Sequence, residues 1–108
     1  MMLTQTSLEG DQLLGMVAAL ANPIRLRILA RLAERRDYVS HLAREIGISR
    51  PLLHMHLQRL ETVGLVVGSL ELSEDGKALK FYDVADFDIH LTAATVASAA
   101  KTLTTSDP

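Results

Sequence analysis

The apolar positions of this chain change rhythm along its length, and each rhythm marks an element. PIRLRILARLAE, from Pro23 to Glu34, is apolar over most of a helical surface, with Arg27, Arg31 and Glu34 as its polar stripe. Such a helix is usually surrounded by others. Asn22 stands at its N-cap and Pro23 at its first position, where a missing amide costs nothing. Val39, Leu42, Ala43 and Ile46 then recur at i, i+3, i+4 and i+7, one apolar face of a second helix. After Gly47, Leu53, Leu57 and Leu60 form the inner face of a third helix, which Gly64 ends. Beyond Gly64 the pattern turns extended. LVVGSLEL, a turn at Ser73 to Gly76 and KALKFYDV read as a two-stranded hairpin. Thr92 caps a last helix with Ala93, Val96, Ala97, Ala100 and Leu103 in a narrow stripe, and Leu13, Leu14, Val17 and Leu20 mark a first one. The pattern predicts helices near 9–20, 23–36, 39–46, 50–63 and 92–103, with the hairpin near 65–85.

Two of these helices form a known shape. Gly47 supplies the backbone freedom for a sharp turn, Ile48 plugs it from inside, and Ser49 caps the helix that follows. Ala43 keeps the crossing point small, since a bulky side chain there would wedge the helices apart. This is a helix-turn-helix, which lays its second helix in the major groove of DNA. The chain therefore reads as one winged helix-turn-helix domain over 1–108, mainly α with a small β-hairpin (α+β), five helices plus a two-stranded wing. The motif spans 38–64, the wing 65–86 and the final helix 92–103, with loose ends at 1–7 and 104–108.

At 100° per residue the motif's second helix has distinct faces. Pro51, His54, Met55, Gln58 and Thr62 point away from the core, toward DNA. Ser49 and Arg50, at its N-terminus, reach phosphate or base edges. Gln58 suits a bidentate contact to adenine, Arg50 one to guanine, and Met55 lies against a thymine methyl. Arg59, on the side of the helix, and Arg44 are phosphate candidates. His56 flanks the core and is expected to hydrogen-bond internally. Arg25 falls in the apolar sector of its helix and reads as a structural ion-pair or cap-bonding residue. On the wing, Lys77 and Lys80 are candidate phosphate contacts beside an acidic tip, Glu74 and Asp75.

NPIRLRIL, LAREIGIS and HLQRLETVGLV together resemble the ArsR/SmtB family of winged-helix regulators, over roughly Leu13 to Phe87. The resemblance implies a homodimer on a double-stranded operator, joined through the first and last helices. Leu13, Leu14, Val17 and Leu20 would then meet Val96, Ala97, Ala100 and Leu103. It also implies that some members sense metals, through Cys pairs near the first motif helix or through Asp-x-His with a distal His-x-x-Glu. This chain has no Cys. Asp86, Asp88 and His90 mimic the first half of the second set, but the last helix lacks its distal half. Asp37 and His41, at i and i+4, offer two ligands, too few for a strong site. His54 and His56 lie about 200° apart and cannot share an ion. No resident cofactor follows; a nickel- or zinc-like divalent ion is the one candidate.

Charge refines the picture. The net charge is −2, yet all eight Arg fall between Arg25 and Arg59. Against the four acids between Asn22 and Gly68 they leave a surplus of four, while Ser69 to Pro108 carries three Lys against seven acids. Positive potential is thus expected around the motif. At 108 residues the chain buries roughly 60–65% of its unfolded surface, so dimerisation would help. No run approaches the ~20 apolar residues of a membrane span and no signal peptide is evident, so no membrane partner is expected and cytoplasm is the default. No phosphate-binding glycine loop or nucleophile–base pair suggests an enzyme. Three function classes stand: a homodimeric sequence-specific regulator, a metal- or ligand-responsive switch on that scaffold, and a winged-helix protein–protein module without DNA binding.

Overall fold

The computed structural model describes residues 8–104. Five helices pack around one apolar centre, and a three-stranded antiparallel sheet closes one side. The helices are α1 (Gly10–Leu20), α2 (Pro23–Glu34), α3 (Val39–Ile46), α4 (Arg50–Thr62) and α5 (Ala93–Ala100); the strands are β1 (Asp37–Tyr38), β2 (Val66–Leu72) and β3 (Ala78–Val84). Ile28, Leu32, Leu42, Leu53, Leu57, Leu60, Leu65 and Val66 are fully buried at the centre.

The local causes are those of the sequence. Asn22 Oδ1 accepts from the amides of Ile24 and Arg25, starting α2, and α1 meets α2 at 93°. Gly47 is left-handed at φ 85°, which lets its own amide and that of Ile48 both bond back to the Ala43 carbonyl. Ala43, whose carbonyl takes both bonds, is itself buried in the core. Ser49 Oγ accepts from Leu52 N at 3.2 Å, and α4 begins there.

Three boundaries differ from expectation. The sheet has a third strand: Asp37 and Tyr38 pair with Tyr82 and Phe81, so the order is β1-β3-β2. Helix α2 stops at Glu34 rather than near 36, because Arg35 is extended and Arg36 is drawn onto the wing. Helix α5 ends at Ala100 rather than 103, with its capping box at Thr92 and Thr95 intact. Of the expected loose ends, 1–7 and 105–108 lie outside the described residues. Thr104 is tied down instead: its amide and hydroxyl both donate to Asp11, whose carboxyl they hold below the ordinary value.

Helix α5 packs on α1 within the chain. A Cβ on Gly10 would sit 2.2 Å from the Ala99 carbonyl, so glycine is what permits the approach. Gly10 N donates to Thr102 Oγ1 at 2.6 Å across the same seam.

Candidate nucleic-acid interface

One face of α4 is sunk in the core through Leu53, His56, Leu57 and Leu60, and the opposite face is open. Arg50, Pro51, His54, Met55, Gln58, Arg59 and Thr62 are all exposed, as is Ser49 at the cap. The faces therefore fall as the helical period predicts. Thr62 is partly spoken for, because its hydroxyl donates to the Gln58 carbonyl of its own helix at 2.8 Å.

What holds this helix is a buried polar joint. Ala19, near the end of α1, has Pro23 four residues on, and proline has no amide to offer its carbonyl. Arg25 supplies the missing donor: its Nε bonds Ala19 O at 2.6 Å while Nη1 lies 3.2 Å from His56 Nδ1. One guanidinium thus joins α1, α2 and α4. His56 is almost fully buried, and desolvation, then Arg25 and Arg59, hold its pKa below the usual imidazole value. A neutral ring with Nδ1 as acceptor satisfies that geometry. Sequence reasoning gave both residues internal roles but not to each other; the missing proline amide was the available signal.

Three of the eight arginines, Arg25, Arg31 and Arg36, are tied to partners within the fold, while Arg27, Arg35, Arg44, Arg50 and Arg59 are exposed. Besides Arg25, Arg31 pairs with Glu45 at 3.0 Å and Glu34 at 3.5 Å. Arg36 makes a two-pronged bond to Glu71 on β2 and lies 4.5 Å over the Phe81 ring, clamping the wing to the body. This clamp lowers the Glu71 pKa, chiefly through the hydrogen bond. Arg44, Arg50 and Arg59 are exposed and form no ion pair among the described residues. Of the eight, Arg44, Arg50 and Arg59 stand on the motif with their charge open to a partner.

The wing tip is a closed turn. Ser73 N donates to the Lys77 carbonyl at 2.8 Å, and Asp75 accepts from Ser73 Oγ and, at 3.4 Å, from the Lys77 amide. Lys77 is exposed at the tip. Lys80 stands nearer the body, its Nζ 5.7 Å from the Tyr82 ring centre.

The dimer candidates separate. Leu14 is 51% exposed, Val17 38% and Val96 47%, with Ala97 and Ala100 also open. Leu13 is half-buried. Leu20 is not part of that open stripe, because it packs against the core. Leu103 lies against Gly10 in the α1–α5 seam and remains 40% exposed.

The metal candidates do not converge. His41 Nδ1 bonds Asp37 Oδ2 at 2.6 Å, and Asp37 Oδ1 accepts from Tyr38 N, so the pair serves the start of α3. His90 and Asp88 lie 3.4 Å apart on an exposed segment with Asp86. No group of three possible ligands is assembled among the described residues.

Residues 22–67 match the family described as "Bacterial regulatory protein, arsR family". An uncharacterized HTH-type transcriptional regulator of Methanocaldococcus jannaschii is 37% identical over 73 residues, 68% of this chain and 76% of that protein. The chain belongs to the ArsR family. Among solved ArsR-like folds, a possible transcriptional regulatory protein (fragment 1–100) of Mycobacterium bovis superposes with TM-score 0.61 and 28% identity, over 84% of this chain and 86% of that one. A solution structure of a Mycobacterium bovis homodimeric winged helix-turn-helix DNA-binding domain, a possible ArsR-family transcriptional regulator, gives TM-score 0.59 and 26% identity, covering 84% and 74%. As an ArsR-family transcriptional regulator, the chain has its motif at α3–α4 and its wing at β2–β3, with β1 completing the sheet.

Proposed function

We propose that this regulator is a homodimer that reads a palindromic double-stranded DNA operator with α4. The observation that carries the reading is the two-sidedness of α4. Its inner face is locked by Leu53, Leu57, Leu60 and the Arg25–His56 joint, while Gln58, Met55 and His54 face outward. A recognition element has to be held rigidly and yet present polar edges, and both conditions are met here. Gln58 reads adenine, Met55 packs on a thymine methyl, and Arg44 and Arg59 approach phosphates on the flanks. The second subunit docks on the open stripe of Leu14, Val17, Val96, Ala97 and Ala100, a patch of small and apolar residues left uncovered by the chain's own packing. The homodimeric Mycobacterium bovis domain supports a homodimer, and the open stripe is our placement of its seam.

The test is selection from a random-sequence duplex pool followed by fluorescence anisotropy on the selected and scrambled duplexes. The expected consensus is an imperfect palindrome with half-sites about one helical turn, roughly 34 Å, apart. Gln58→Ala should cost roughly 1–3 kcal/mol on the selected duplex and less on the scrambled one. Absence of salt-dependent binding to any duplex would overturn the proposal, leaving the protein-binding module.

A further inference from the structure

Between the start of α3, the first turn of α4 and strand β3 there is a notch of about 190 Å³. Tyr38 of β1, the start of α3, the first turns of α4 and strand β3 line it, and their lining residues include three basic ones, Arg50 and His54 from α4 and Lys80 from β3, with Ser40 on the α3 side. No carboxylate is among its lining residues. Helix α3 begins here with Tyr38 at the N-cap, and no side chain caps its first-turn amides. The positive end of that helix lies on the same wall, partly offset by the Asp37 carboxylate that holds Tyr38 N and His41 Nδ1 behind it, so the attraction rests on the two permanent cations.

We propose that this notch seats one phosphodiester of the DNA backbone, held jointly by Arg50, His54 and Lys80. The inference rests on the DNA-binding reading above and sharpens it at two points. Arg50 is moved from guanine recognition to backbone anchoring. The wing's contribution is moved from Lys77 at the acidic tip to Lys80 at its root. Chemistry supports both. A tip lysine beside Glu74 and Asp75 brings two charges that repel phosphate with it, whereas Lys80 lines a cleft with Arg50 and His54, and its flexible stem, resting with Nζ 5.7 Å from the Tyr82 ring, has only to swing to reach it. A phosphodiester carries one negative charge and two free oxygens, which suits one guanidinium supplied by α4 and one ammonium supplied by β3. Ser40, with its hydroxyl on the α3 wall, is a further donor to the same group.

A seat of this kind fixes how far α4 enters the groove without reading sequence. Two side chains on one phosphate also leave a quantitative signature. Slopes of log affinity against log salt count phosphates neutralised, at about 0.9 each, rather than cations supplied. The experiment uses the full chain on the selected and scrambled duplexes, titrated by anisotropy over roughly 50 to 300 mM salt. Arg50→Gln and Lys80→Gln should each weaken binding by roughly three- to tenfold, equally on both duplexes. The double variant should lose less than the product of the single losses, because both act on one group. Its salt slope should drop by about one phosphate per subunit and not two. Duplexes with one phosphate replaced by a neutral methylphosphonate locate the seat. At a single position per half-site the substitution should weaken the parent protein and leave the double variant unaffected. The seat is refuted if Arg50→Gln weakens only the selected duplex, if Lys80→Gln has no effect, or if the two losses multiply. In each of those cases the parent protein still binds its selected duplex, so the regulator reading survives; if the parent binds no duplex, both fall together.

Discussion

Replacing Arg25 by Met tests whether the joint between α1, α2 and α4 is held by hydrogen bonding rather than by bulk. Methionine keeps most of the aliphatic stem, so the packing loss is small. It leaves Ala19 O with no donor, because Pro23 cannot provide one, and His56 Nδ1 loses the Arg25 Nη1 that faces it at 3.2 Å. A hydrogen bond from a charged donor contributes about 1.5–3 kcal/mol, and each buried group left unpaired costs about 1–3 kcal/mol. Allowing for relaxation, the expected loss is about 3–4 kcal/mol, within the range for breaking one side of a buried polar pair. At about 4 °C per kcal/mol for a chain of this length, the midpoint should fall by roughly 12–16 °C. The assay is urea unfolding with thermal melting at one fixed protein concentration, since association raises apparent stability. Arg25→Lys should fall between the two, one ammonium replacing two separated donors. A loss below about 1 kcal/mol for Arg25→Met, with the m-value unchanged, would refute the joint.

The same joint gives a pH prediction. Burial and the neighbouring Arg25 and Arg59 hold the folded His56 pKa below its ordinary value of 6.5, so the unfolded chain binds the extra proton first. Its contribution is complete above pH 6.5 and shrinks as pH falls from there through the folded value; His56→Asn, keeping an acceptor, should flatten this limb of stability against pH. The lowered carboxyls of Asp11, Glu71 and Asp75 contribute fully above their ordinary values of 3.8, 4.5 and 3.8 and lose that contribution only as pH falls below them, so the two limbs separate. Val96→Asp, which sets like charges face to face in the proposed seam, should give monomers by sedimentation velocity; an unchanged dimer would place the interface elsewhere. Glu74→Gln should tighten binding to every duplex without altering the preferred sequence, whereas Asp75→Asn should also loosen the turn, seen as faster amide exchange at Lys77.

Much of this architecture was legible because single residues announced it. Asn22–Pro23, Gly47–Ile48–Ser49 and the Leu53, Leu57, Leu60 spacing located α2, the turn and α4 to within a residue or two, and those signals are local. Strand β1 was invisible for a corresponding reason. Two residues show no alternation, and Asp37 and Tyr38 become a strand only because Tyr82 and Phe81 come beside them. The division of the arginines was equally non-local. Arg36 and Glu71 are 35 positions apart, as are few contacts a period can reveal, and nothing in either neighbourhood marks their pairing. The exposed face of α4 could be read from the sequence; the notch beside it could not, since it exists only where α3, α4 and β3 meet.

The short strand also has a mechanical meaning. With the order β1-β3-β2, the hairpin is gripped at Phe81 and Tyr82 by β1 and at Glu71 and Phe81 by Arg36, and beyond those points it projects unsupported. It is a cantilever, with Lys80 beside the fulcrum and Lys77 on the free arm. Thermal bending displaces the free arm most and the fulcrum least. The arm can therefore lengthen, shorten or change its charge while the root keeps its place against α4.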